Sequence, residues 1–278
     1  MEQGTLYIVA TPIGNLEDIT LRALRVLKEC DLIAAEDTRR TRKLLSAYDI
    51  KTPLTSLYDQ NEAKKCTSLI TEMQSGKSVA CVSDAGTPAI SDPGYVLVRE
   101  TVARGIRVVP IPGPSAVIAA LSASGLPTDS FVFHAFLPSR SGKRRQFLQS
   151  VASEEKTMVC YESPNRLAAA LHDILSILGD REVVLFRELT KLYEEVFRGT
   201  VADVLASVKG KTVKGEITLI IRGAAKGVSQ WSPENIQERC QSLQRDTTLS
   251  TRDIVEIIAE EMDLSRKEVY RVVLRMNG

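Results

Sequence analysis

The sequence predicts an α/β protein: two α/β units followed by a small helical segment of helix-turn-helix type. Three observations carry this reading. Short apolar runs alternate with helical patterns through roughly the first 224 residues. Three of those runs feed loops of small residues, glycine and proline. Beyond Gly223-Ala224-Ala225-Lys226-Gly227, which reads as a linker, the pattern becomes wholly helical.

Leu6 to Ala10 reads as a buried strand, and Thr20 to Cys30 as a helix with Leu21, Leu24 and Leu27 at helical spacing. Leu32 to Ala35 is a strand ending at Glu36-Asp37, and Arg39 to Leu45 a basic helix. Lys64 to Gln74, Tyr95 to Ala103 and Ser115 to Ser122 read as helices, Val79 to Val82 and Ile106 to Val109 as strands. Alternating strands and helices imply a mostly parallel sheet covered on both faces. Gly125-Leu126-Pro127-Thr128 suits a hinge. Beyond it, Phe131 to Phe136, Thr157 to Tyr161, Glu182 to Phe186 and Glu216 to Ile221 read as strands. Helices near Arg144 to Val151 and Asn165 to Leu178 lie between them. Leu192 to Phe197 is expected to add an antiparallel strand, giving a mixed sheet. The expected domains are residues 1–124, 125–224 and 228–278.

In the last segment Ser250 and Asp253 form a capping box ahead of an apolar face of Ile254, Val255, Ile257, Ile258 and Met262. Asp263-Leu264 makes a turn, and Ser265 with Glu268 caps a second helix. That helix carries Arg266, Lys267, Arg271 and Arg275.

The stretch from Cys81 to Gly94, Cys-Val-Ser-Asp-Ala-Gly-Thr-Pro-Ala-Ile-Ser-Asp-Pro-Gly, is the most informative. Small residues let a ligand approach the backbone, while proline and glycine fix unusual dihedrals. Thr11-Pro12-Ile13-Gly14-Asn15 and Pro110-Ile111-Pro112-Gly113-Pro114-Ser115-Ala116 are similar strand-to-loop junctions. Each alone reads as an ordinary turn. Together they suggest one cleft beyond the strand C-termini.

The apolar content of 44% and charged content of 26% are those of a globular protein, and 278 residues suit about two domains. A net charge of +1 provides no global attraction for nucleic acid, so any polyanion site must be local. The five cysteines, Cys30, Cys66, Cys81, Cys160 and Cys240, include no CxxC, so neither a zinc site nor a disulfide framework is expected. Reduced thiols and the lack of a signal-like N-terminus or a membrane-length apolar run suggest a cytoplasmic, membrane-free setting. Gly76-Lys77-Ser78 imitates a P-loop, but Thr71 stands where the first glycine belongs, and the tripeptide precedes a strand. Gly113-Pro114-Ser115-Ala116-Val117 lacks the closing glycine of a nucleophile elbow. His134 and His172 sit in regular elements and read as structural, and no GxGxxG occurs. With no metal cluster, P-loop or nucleophile, a bound cofactor is left to carry the chemistry.

The motifs Gly4-Thr5-Leu6-Tyr7-Ile8-Val9-Ala10-Thr11-Pro12-Ile13-Gly14-Asn15-Leu16, Glu36-Asp37-Thr38-Arg39, the Ser83–Gly94 loop, Pro112 to Ala116 and Tyr161-Glu162-Ser163-Pro164-Asn165-Arg166 resemble the ribosomal RNA small subunit methyltransferase I family of the tetrapyrrole methylase superfamily. The resemblance spans the α/β part in order and is weaker over the C-terminal helices. It implies S-adenosylmethionine bound in a cleft between the two α/β domains, a homodimer, and 2′-O-methylation of a cytidine ribose in the decoding region of 16S rRNA in the small ribosomal subunit. The implied cofactor contacts are Pro12, Ser83, Asp84, Ala85, Ala89, Ile90, Pro114, Ser115, Ala116, Tyr161, Glu162, Leu189, Thr190 and Thr218. Relatives often carry a histidine where Gln60 stands, so no histidine base is expected there.

A ribose hydroxyl is weakly acidic, so a carboxylate that takes or orients its proton would help. Glu36, Asp37, Asp59, Glu62 and Asp84 are candidates. Each could instead serve as a cap or ion-pair partner to Arg39, Arg40, Arg42 or Lys43. Asp37 is favoured because it follows a buried strand and is expected to face the cleft, while Asp84 is expected to serve the cofactor. Arg39, Arg40, Arg42, Lys43, Arg140, Lys143, Arg144 and Arg145, with the terminal cluster, could contact RNA phosphates; solvated surface is the even alternative. Two rival functions stay open: methylation of a small tetrapyrrole-like substrate, and a non-catalytic role in ribosome assembly.

Overall fold

The computed structural model describes residues 3–225, 233–246, 249–261 and 264–276. Met1–Gly223 forms one compact unit and Ala224–Gly278 another.

The first sheet of the larger unit has the order β3 (Leu54–Ser56), β2 (Leu32–Ala35), β4 (Val79–Val82), β1 (Thr5–Val9), β5 (Arg107–Ile111), with every pair parallel. Every residue of β4 is buried, which explains its continuous apolar run. Its side chains alternate between two cores. Ala80 and Val82 join Ala23, Val26 and Leu27 of α1 (Leu21–Glu29) and Leu45 of α2 (Thr38–Ala47). Val79 and Cys81 join Leu69, Ile70 and Met73 of α3 (Glu62–Gln74) and Leu97 of α4 (Tyr95–Ala103). Strand β3 was not expected: three half-buried residues give too short a pattern to read.

The second sheet has the order β6 (Phe131–Phe136), β7 (Thr157–Glu162), β10 (Ile217–Ile221), β8 (Glu182–Arg187), β9 (Glu195–Thr200). β6 and β7 are parallel, and the remaining pairs are antiparallel. The expected strand at Leu192–Phe197 is therefore displaced. Pairing with β8 begins at Glu195, opposite Arg187, while Leu192 and Tyr193 project from the preceding turn at 88% and 72% exposure. Helix α8 (Val201–Val208) follows at once, opened by a Thr200–Asp203 capping box.

Helix α5 (Ala116–Ser124) ends at Gly125, whose φ of 79° supplies the left-handed cap. Its Val117, Ala120 and Leu121 pack on Val159, Val184, Phe186 and Ile220 of the second sheet. The chain thus crosses between the sheets before the glycine, not at it.

Helices α6 (Ser141–Ser150) and α7 (Leu167–Leu178) are tied by a buried ion pair. Arg144 donates to Asp173 at 2.6–2.8 Å, with the two side chains 4% and 7% exposed. Arg144 is thus not available to RNA, contrary to expectation; an arginine within an exposed basic run gives no sign of which member turns inward. Burial opposes the charge on Asp173, and the hydrogen bonds from Arg144 and Arg145 overcome it, holding its carboxyl below the usual range.

In the smaller unit, α9 (Pro233–Asp246), α10 (Thr251–Glu261) and α11 (Arg266–Met276) share a core that includes Ile236, Cys240, Ile254, Val255, Ile258, Val269 and Val273. The Ser250–Asp253 box forms in both directions. Lys226 and Gly227 of the expected linker, Met262, Asp263 and the side chains of Glu268 and Arg275 lie outside the described residues.

Arg144→Met should destabilise the protein by about 3 kcal/mol in urea unfolding, because it leaves Asp173 buried with one guanidinium fewer. The exposed Lys143→Met should change stability by less than ~0.5 kcal/mol. Since the Asp173 carboxyl is depressed, the difference is present above its unfolded value near ~4 and shrinks as pH falls below it.

Candidate active site

The loops at the C-terminal edge of the first sheet hold one another through backbone bonds. Thr11 and Gly86 form an antiparallel bridge, with N–H to oxygen distances of 2.9 and 3.0 Å in the two directions. The Thr11 hydroxyl also donates to the Ser83 carbonyl at 3.1 Å. Gly113 lies so near Ala10 that an added Cβ would stand 3.0 Å from the alanine methyl. The small residues of these loops are there for the loops themselves as much as for a ligand.

The acidic residues divide by role. Glu36 accepts the Asp84 amide at 3.2 Å, and Asp84 accepts the Asp37 amide at 3.0 Å while pairing with Arg40 at 3.3 Å. The ends of β2 and β4 are thereby cross-linked. Asp37 caps α2, accepting the Arg39 amide at 2.8 Å and pairing with its guanidinium. Those bonds push its carboxyl down to about 2. It does not line the cavity, so its expected place as proton acceptor is corrected: the residue after a buried strand is here a helix cap. Glu62 is buried, and its Oε1 accepts the amides of Gly94, Val96 and Leu97 at 3.0–3.2 Å, capping α4 from α3. Asp59 is exposed and is not among the cavity-lining residues. Asp92, which the sequence reading passed over, lines the cavity with Glu36 and Asp84. Burial, then the charge of Glu36, raises it to about 6, against a hydrogen bond from Ser83. Burial likewise raises Glu36, with the Asp84 amide opposing.

The second sheet supplies the facing wall. Tyr161, Glu162, Ser163, Gly215, Glu216 and Thr218 line the same cavity of about 450 Å³, which suits a ligand of cofactor size. Glu162 is buried at the end of β7. Its Oε1 accepts from the Ser163 amide and Arg166, whereas Oε2 has no hydrogen-bond partner among the described residues. A buried acceptor without a donor is costly, and it marks where a ligand N–H or O–H fits. Burial, then the Asp92 charge, pushes the Tyr161 hydroxyl up to about 12.

Of the expected cofactor contacts, Asp84, Ala85, Ile90, Ser115, Ala116, Tyr161, Glu162 and Thr218 line this cavity. Pro12, Ser83, Ala89, Pro114, Leu189 and Thr190 are not among its lining residues. The Ser83 hydroxyl lies 3.3 Å from the Gly86 carbonyl, the Ala89 amide closes the loop onto Pro93, and Pro114 accepts from Thr87. Leu189 packs into the core beneath α5. A Cβ on Gly14 would meet the Thr190 hydroxyl at 2.8 Å, so the loop after β8 presses on the loop after β1. Missed along with Asp92 were Ile13, Thr87, Phe136 and Glu216. Asp92 was recognisable only as an acid inside a loop already singled out.

The expected basic residues fare unevenly. Arg40 lines the cavity, Arg39 pairs with Asp37, and Arg145 with Asp173. Arg42, Lys43, Arg140 and Lys143 are exposed. In the smaller unit Arg266 pairs with Glu256, and Arg266, Lys267, Tyr270 and Arg271 surround a shallow hollow on α11.

Residues 5–205 match the family model for tetrapyrrole (corrin/porphyrin) methylases. A ribosomal RNA small subunit methyltransferase I of Halalkalibacterium halodurans is 45% identical over 98% of this chain and 95% of its own length. One of Escherichia coli O157:H7 is 46% identical over 99% and 96%. The chain belongs to the ribosomal RNA small subunit methyltransferase I family. One member, from Thermotoga maritima, is 51% identical over 220 residues that make up 99% of its length and 79% of this chain. Solved structures share the fold: a Thermus thermophilus uroporphyrin-III-C-methyltransferase has a TM-score of 0.57 at 22% identity, covering 78% of this chain and 94% of its own. A diphthine synthase has a TM-score of 0.61 at 16% identity, covering 79% and 90%. Their differing names show that the fold does not choose the substrate.

The protein is a methyltransferase that uses S-adenosylmethionine, and the site fits that cofactor. The orphaned Glu162 oxygen offers an acceptor to its amine and hydroxyl donors. The small residues Ala85, Ser115 and Ala116 leave room beside the backbone. If Asp92 accepts a proton during the reaction, single-turnover methyl transfer should rise about tenfold per pH unit below pH ~6 and level off above it. A profile flat from pH 5 to 8 would show that Asp92 accepts no proton in the rate-limiting step. Because its carboxyl is raised, the cost of burying that charge builds between the unfolded value near ~4 and about 6 and is fully present above, so Asp92→Asn should raise the thermal midpoint at neutral pH.

Proposed function

We propose that this protein methylates the 2′-oxygen of a cytidine ribose in the decoding region of 16S rRNA within the small ribosomal subunit, as a cytoplasmic homodimer. The observation that carries the reading is the pair Glu36 and Asp92, placed in one cavity whose rim also holds Arg40, in a chain of this family. Bound S-adenosylmethionine supplies an electrophilic methyl group. Asp92 takes the proton that the ribose hydroxyl gives up, and burial, with the like charge of Glu36 beside it, keeps its carboxyl basic. Asp84 holds Arg40 at the mouth, where the guanidinium meets a phosphate. Glu162 and Thr218 receive cofactor donors on the floor, and Ser115 with Ala116 sets the width of the cavity. Holding the oxygen in line with the methyl group supplies much of the acceleration.

No helix among the described residues is long and apolar enough to cross a membrane. The aligned length of the Thermotoga relative, 220 residues, is close to the extent of Met1–Gly223, which supports placing the chemistry in that unit.

The purified protein should methylate small ribosomal subunits with S-adenosylmethionine, and nucleoside mass spectrometry should find 2′-O-methylcytidine. Methyl groups on a base, or transfer only to a tetrapyrrole, would contradict the reading. Light scattering should give twice the chain mass; a monomer would remove the homodimer from it.

A further inference from the structure

Strand β6 is irregular where it meets the cavity. Phe131, Val132 and Phe133 pair in register with Thr157, Met158 and Val159, after which Phe136 pairs with Tyr161. Three steps on β6 thus oppose two on β7: one residue is inserted. Ala135 absorbs it at a φ of 53°, a conformation that an L side chain rarely adopts. The insertion reverses the alternation of side chains. Without it, Ala135 would share the face of Phe133, and Phe136 would point away. With it, Phe133 and Phe136 both reach the Tyr161 ring, at centroid distances of 5.1 and 5.4 Å. The Phe136 ring, 55% exposed, stands at the cavity mouth.

The opposite wall repeats the device. Ile90 is 49% exposed and is flanked by Ala89 and Ser91, at φ values of 67° and 66°. Two walls therefore hold an apolar side chain in water by backbone that is unfavourable on its own. Such outliers persist where the surrounding structure imposes them, and they cluster at ligand sites. Around them the mouth is charged, with Arg40, Asp84, Asp92 and Glu216.

We propose that Phe136, with the exposed Ile90 lining the same cavity, stacks on the base of the acceptor nucleotide and so holds that nucleotide's ribose hydroxyl at Asp92. This rests on the ribose-methylation reading. The cavity floor carries the buried, unpartnered Glu162 oxygen and the buried Thr218, which suit the cofactor. The rim is left for the second substrate, whose sugar must enter toward Asp92 with its base still outside. A flat π surface on an aromatic ring is the usual way to hold a splayed base, and it needs no hydrogen-bond code.

Full-length wild type, Phe136→Ala, Phe136→Leu and Phe136→Tyr would be compared. Calorimetry would read S-adenosylmethionine affinity, and single-turnover methylation over a range of small-subunit concentrations would read kcat/KM. Phe136→Leu keeps apolar bulk without the π face, so folding is tested separately from stacking. The Ala and Leu variants should keep cofactor affinity within about twofold and lose on the order of ten- to a hundredfold in kcat/KM, with Tyr restoring most of it. Unchanged kcat/KM in Ala and Leu overturns the proposal. So does a loss of cofactor affinity that matches the rate loss, which would assign the ring to the cofactor's adenine. A Leu variant as active as Tyr overturns it too, leaving only bulk. Absence of 2′-O-methylcytidine from the wild-type product overturns the parent reading first, and is seen before any variant is compared.

Discussion

The Glu36 carboxylate accepting the Asp84 amide is the contact on which the site depends. It joins the ends of β2 and β4, and Asp84 returns the tie by accepting the Asp37 amide and pairing with Arg40. The same Glu36 charge helps keep Asp92 protonated up to about pH 6. One side chain thus fixes loop geometry and tunes a neighbour. The arrangement is half-buried at the C-terminal edge of a parallel sheet, where backbone donors help a carboxylate to stay charged. Thr11 with Gly86, and Glu62 beneath Gly94, hold the remainder of the Ser83–Gly94 loop in place.

The cavity is lined from two sheets of different character. The parallel sheet contributes loops because its strands all end on one edge. The mixed sheet contributes the buried floor at Glu162 and Thr218 and, through a bulge, the Phe136 ring. Helix α5 joins them by packing against the second sheet while its N-terminal residues Ser115 and Ala116 line the cavity.

Much of this was legible in the sequence. Short buried runs such as Val79–Val82, bounded by glycine, proline and small polar residues, read as strands of a covered sheet, and the three small-residue loops do meet. What was not legible has a common cause: side-chain direction. Arg144 and Arg145 are adjacent in a basic run, yet one is buried on Asp173 and the other is half exposed. Asp37 follows a buried strand and Asp92 sits in the Ser83–Gly94 loop, but one caps its helix and the other lines the cavity. Periodicity finds elements, and it does not report which polar residue an irregular loop aims at the cavity. The insertion at Ala135 has no sequence signal, since alanine does not announce a positive φ. Domain limits at 124 and 224 were drawn from glycines, and neither limit reports that α5 belongs to the second sheet's core.

The central claim is that Asp92, and not Asp37, receives the ribose proton. The most direct measurement is single-turnover methylation of small ribosomal subunits at saturating cofactor and subunit, comparing Asp37→Asn with Asp92→Asn. Asparagine is itself a good helix cap, so Asp37→Asn should keep the rate within a few-fold. Asp92→Asn should lose on the order of a hundredfold while binding both substrates. A full rate in Asp92→Asn, with the loss falling on Asp37→Asn, would contradict the account.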